Sequence, residues 1–87
     1  MAVVFIPALL RDLTGGAEQV EQQGETLRQV IDGLEARFPG IRERLFEGER
    51  LRPGIALFVD GELSHLKLRH KLEPGSEVHF LPAISGG

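Results

Sequence analysis

Cysteine is absent from the 87 residues. That single absence removes disulfides, thiolate zinc sites and thiol catalysis. No apolar run is long enough to cross a bilayer, which excludes a membrane span. The opening MAVVFIPALLRDLTGG is apolar but has no basic segment before it and merges into strand-like sequence, so it reads as structure and not as a signal peptide. A cytoplasmic address follows by default. A concentration of positive charge is lacking as well: the formal net charge is -3 and no Lys/Arg run stands out. This gives no footing for a nucleic-acid partner. Internal repeats, low-complexity stretches and linkers are missing too. What remains, 41% hydrophobic and 26% charged residues, suits one soluble domain with one modest core.

Along the chain, Val3-Val4-Phe5-Ile6 is a β-branched and aromatic run closed by Pro7, which predicts a first strand. Residues 8–13 can make a helical turn before the reversal at Thr14-Gly15-Gly16, and residues 17–22 read as a polar edge strand around Val20. Leu27, Val30, Ile31, Leu34 and Phe38 then recur at helical spacing and form one apolar stripe. Thr26 with Gln29 fits a capping box, and Pro39-Gly40 supplies the stop. Gly33 inside the stripe costs the helix roughly 1 kcal/mol relative to Ala. Residues 41–46 suggest a further helical turn, and 47–54 a polar loop.

Residues 55–59 form the clearest strand, followed by the tight-turn pair Asp60-Gly61 and a short return over 62–64. Glu73-Pro74-Gly75-Ser76 fits a type II turn, and residues 77–81 a last strand closed by Pro82. One helix with one stripe must cover one face of one sheet, which predicts a two-layer α+β domain over residues 1–82. Residues 83–87 then form a separate flexible tail.

Candidate reactive groups are few. His65, His70 and His79 have no recognised ligand spacing and read as surface histidines, so no metal site is expected. No nucleophile has a base with supporting context. Arg28, Arg37, Arg42, Arg44, Arg50 and Arg52 alternate with Glu25, Asp32, Glu35, Glu43, Glu47 and Glu49, the pattern of a solvated mixed-sign surface. Gly15-Gly16 lacks the context of a phosphate-binding loop.

The element order and the ending carry a family resemblance. IPALLRDLTGG (6–16), FVDGE (58–62), LEPGSEVHFLP (72–82) and the final Gly86-Gly87 resemble the ubiquitin-like β-grasp sulfur carriers, related to the small subunit of molybdopterin synthase and the thiamin carrier. IPALLRDLTGG and LPAISGG look most like the carrier of an actinobacterial cysteine-synthesis route. The resemblance implies a mixed sheet with a helix on one face and a free C-terminal tail.

It also implies a function. The Gly87 carboxylate would be adenylated by a ubiquitin-activating-like enzyme that uses ATP, then converted to a thiocarboxylate that donates sulfur. Ala83, Ile84, Ser85 and Gly86 would thread Gly87 into partner active sites, where a glycine without Cβ is least obstructive. The lack of cysteine agrees, since no side chain here could hold a persulfide. The chain would be a consumed co-substrate and not an enzyme, with no cofactor bound. The acceptor would be a pyridoxal-phosphate cysteine synthase or, alternatively, the molybdopterin synthase large subunit. Thiamin and tRNA thiolation remain open, as does a role as a ubiquitin-like protein modifier.

Strand alternation adds one candidate surface. If Leu57, Val59, Val78 and Phe80 face the helix, Phe58 and Leu81 face the other way, near the base of the tail. They would then either form a docking patch for the partner enzymes or lie buried under a loop such as 41–54.

Overall fold

The computed structural model describes residues 1–82; the expected tail, residues 83–87, lies outside the described residues. Strand β1 (Ala2–Phe5) ends two residues before Pro7, leaving Ile6 outside it, and a 3₁₀ turn over Ala8–Leu10 leads round to β2 (Gln19–Gln22). Helix α1 (Leu27–Arg37) follows, with Leu27, Val30, Ile31 and Leu34 on its buried face. Its start is a capping box with a shifted return. The Thr26 hydroxyl accepts from the Gln29 N–H (3.3 Å), while the Gln29 side chain accepts from the N–H of Glu25 (2.8 Å), one residue before the cap. Phe38 caps the C-terminal end and packs half-buried against the core.

Five strands form the main sheet in the order β2-β1-β7-β5-β6, with β5 at Ile55–Val59, β6 at Glu62–Leu63 and β7 at Glu77–Pro82. Within it β1 runs parallel to β7 and every other pair is antiparallel. Val4, Val78 and Val59 lie side by side across three strands, and Leu57 faces Phe80; all are buried beneath α1 in one core. Both predicted turns are present. Asp60 and Gly61 take φ of 51° and 85°, as a type I′ hairpin requires. Gly75 takes φ 84° while the Ser76 N–H donates to the Glu73 carbonyl at 2.9 Å.

Two sequence expectations need correction. The stretch 47–54 is not simply a loop: after α2 (Ile41–Leu45), strands β3 (Phe46–Glu47) and β4 (Arg50–Leu51) pair as a miniature hairpin. Two-residue strands are too short to show alternation, so nothing in the sequence marks them. Pro82 is the last residue of β7, in register with Ile55, and not the first residue beyond it. A terminal strand position tolerates proline because its missing N–H interrupts no further ladder. The α2–β4 segment packs on the helix side of the sheet. Ile41, Leu45 and Phe46 are buried there, and the Phe46 ring meets Phe80 edge-on at 6.2 Å.

Candidate functional site

The last described residue, Pro82, is set by the elements packed around it. Parallel pairing brings the end of β1 beside β7, and the turn after β1 carries Pro7, Leu9 and Leu10 to the same edge. Together with Ile55, Leu81 and Pro82 they line an apolar cleft of about 620 Å³. Arg11 and Arg44 stand at its rim. The Arg11 Nε donates to the Ile6 carbonyl (3.1 Å), and Arg44 donates to the Leu9 carbonyl (2.8 Å) with Asp12 at 4.0 Å. These bonds tie the 3₁₀ turn to the end of β1 and to α2.

The outer face of the sheet continues from this cleft. Register sets Phe5, His79, Phe58 and Leu63 in one row across four strands. Phe5 and His79 stack with ring centroids 4.1 Å apart and planes 8° from parallel, and the His79 Nε2 lies 3.5 Å from Glu77. Leu81 is one step further towards the tail, opposite Ala56, and is 47% exposed. Phe58 and Leu81 therefore share the open face, with the 41–54 segment on the other side of the sheet. Sequence alternation found these two but missed Phe5 and Leu63, which it could assign to this row only once the pairing register was known.

The other candidates are dispersed. His65 is exposed. His70 Nδ1 is 2.8 Å from the Ser64 hydroxyl, a contact the sequence did not suggest. That hydroxyl is buried and also accepts from the Lys67 N–H (3.1 Å), so it shapes the loop after β6. Among the described residues His70 has no carboxylate partner, and no three His, Asp or Glu side chains are grouped as a metal ion would need. The mixed charges form an organised strip on the helix side. Arg28 grips Glu49 with two nitrogens, one at 2.8 Å, and Arg42 bridges Asp32 and Glu49. Arg28 holds the Glu49 carboxyl below its usual range, and Glu49 in turn raises the Arg28 guanidinium. The Glu35 carboxyl is also lowered, because it accepts the backbone N–H of Gly40 and that of Arg42.

The tail residues Ala83, Ile84, Ser85, Gly86 and Gly87 lie outside the described residues. Among the described residues no helix is long and apolar enough to cross a membrane. The fold, the open face and the position of Pro82 can be compared with known proteins. The sulfur carrier protein CysO of Mycobacterium tuberculosis is 37% identical over 97% of this chain and 96% of its own length. The CysO of Amycolatopsis orientalis, solved in a BexX/CysO complex, superposes with a TM-score of 0.89 at 36% identity over the whole of both chains. Small archaeal modifier protein 1 from Methanosarcina acetivorans shares the fold, with a TM-score of 0.78 at 24% identity over 99% and 95% of the two chains. The model of the ThiS family matches residues 4–87. By sequence over nearly its full length, and by a β-grasp architecture that the CysO structures share, this chain belongs to the ThiS family and is of the CysO type.

Proposed function

We propose that this protein is a sulfur carrier whose Gly87 carboxylate is adenylated and then converted to a thiocarboxylate for cysteine biosynthesis. The observation that carries the reading is the match to sulfur carrier CysO over 97% of the chain. The family match, moreover, runs through Gly87. A carboxylate is a poor electrophile, so activation must come first. An adenylating enzyme joins Gly87 to AMP at the expense of ATP, releasing pyrophosphate. A sulfur donor then attacks the acyl carbon and AMP leaves. The resulting thiocarboxylate is itself the nucleophile towards an acceptor enzyme, for which a pyridoxal-phosphate cysteine synthase is the preferred partner. The carrier supplies no base and binds no cofactor in this scheme; Ala83, Ile84, Ser85 and Gly86 are the lead by which Gly87 reaches a partner's active site.

The open face suits the docking this requires. The Amycolatopsis relative forms a complex with BexX, and in this chain the exposed Leu81 with Phe58 beside it offers apolar area directly at the base of the tail. The CysO match favours cysteine over molybdopterin as the destination.

The test is to incubate the protein with a candidate adenylating enzyme, ATP and sulfide, alkylate, and map the adduct. With no cysteine in the chain, an ATP-dependent adduct on the C-terminal peptide that disappears when Gly87 is deleted reports the thiocarboxylate. No adduct, with an enzyme active on another carrier, would overturn the proposal. High-mass conjugates in cells that require Gly87 would instead point to a protein modifier.

A further inference from the structure

The N-terminus and Lys71 lie at the end of the sheet opposite Pro82, and Lys67 lies to one side, beyond edge strand β6. The only lysines in the sequence are Lys67 and Lys71; the remaining cations are arginines and histidines. Because β1 is parallel to β7, with Val3 opposite Glu77, Met1 sits where β7 begins, and its carbonyl accepts from the Gly75 N–H (2.9 Å). Lys71 is at that same end: it bridges to Thr26, and the next residue, Leu72, lines a recess shared with Met1. Lys67 lies in the 3₁₀ turn Lys67–Arg69 beyond edge strand β6, with β5 between it and β7. Around Pro82 the basic side chains are Arg11, Arg44 and His79, with Arg52 close by, its carbonyl accepting from the Ile55 N–H at 3.2 Å.

This separation has a chemical consequence. A lysine amine, once deprotonated, attacks an activated acyl group; a guanidinium stays protonated and does not. Five residues beyond Pro82 reach at most about 17 Å, and β7 is itself about 17 Å long at the usual strand rise. An acyl group at Gly87 is thus within reach of everything at the Pro82 end. It draws level with Met1 and Lys71 only if stretched fully back along the strand. An amine tethered near such a group acts at an effective concentration far above that of any partner in solution.

We infer that the exclusion of amines from the Pro82 end protects an activated Gly87 from capture by its own chain, reserving it for an external nucleophile. The purpose rests on the function proposed above; the reactivity does not. In the avoided reaction the free amine forms a C–N bond to the Gly87 carbonyl carbon, the bond to the leaving group breaks, and the amine proton passes to solvent. The product is a lactam lighter than the free acid by one water.

The test uses the full chain carrying a small-thiol thioester at Gly87, made by intein cleavage, so that no adenylating enzyme is needed. Wild type is compared with Arg44→Lys and Leu9→Lys at mildly alkaline pH, by intact mass and peptide mapping. Leu9 is 82% exposed, so its substitution leaves the core untouched, and thermal melts verify both variants. Wild type is expected to hydrolyse to the acid. The variants are expected to accumulate lactam joining Gly87 to the new lysine, about tenfold or more above wild type. Equal lactam formation in wild type and variants, or none in folded variants, would overturn the inference. Failure of ATP-dependent activation of the unmodified protein would sink the proposed function and leave this result standing.

Discussion

Glu35 shows how much one side chain can organise. Its two carboxylate oxygens accept from the backbone N–H of Gly40 and of Arg42, both at 2.9 Å, so it caps α2 from the preceding helix. These bonds favour the charged form and lower its pKa. For a carboxyl held low in the folded state, the stabilisation is present above the unfolded value and is lost as pH falls through the folded one. Glu35→Gln is therefore expected to lower stability at neutral pH and to flatten the acid limb below about pH 5, measured by urea melts across that range. At the open face, Leu81→Asp places a charge in the apolar area beside the tail. If that face docks the adenylating enzyme, the variant should fold normally and raise KM about tenfold or more with a smaller change in kcat. An unchanged KM would remove Leu81 from the interface.

Among the elements, α1 was the most legible in the sequence. The stripe of Leu27, Val30, Ile31 and Leu34 and the Thr26 cap are local signals, and all are realised. The Asp60-Gly61 and Glu73–Ser76 turns were legible for the same reason, since each is fixed by a residue that accepts positive φ. What escaped was specific pairing between residues a few positions apart. The β3–β4 hairpin, the capping of α2 by Glu35 and the Ser64–His70 contact all depend on partners that periodicity does not register. The docking candidates were legible only as alternation; their neighbours Phe5 and Leu63 needed the register. Gly33 is a similar case. Read alone it is a weak spot, but a Cβ there would run into the Gln22 side-chain amide, so the end of β2 leans on the bare helix at that point. The obstruction is the far end of a flexible side chain. Gly33→Ala in a Gln22→Ala background should thus gain up to about 1 kcal/mol of stability by chemical denaturation, and less with Gln22 retained.

For the molecule as a whole, one core joins α1, α2 and the main sheet, and its fully buried residues include Leu34, Ile41, Leu57 and Val78. A domain of this size should unfold in one step. Leu57→Ala, in the middle of β5 and fully buried, should cost about 2–5 kcal/mol in urea unfolding without splitting the transition. A biphasic melt would show that the α2–β4 segment is a separate unit. The placement of β7 has a mechanical meaning as well. It is hydrogen-bonded to β1 on one side and β5 on the other, and Pro82 is its last residue. A pull on Pro82 along the strand axis would load both ladders in shear. The bonds must yield together, whereas an edge strand peeled sideways would lose them one at a time. Under the function proposed above, the end that a partner would draw in is moored to the strand best able to bear that load.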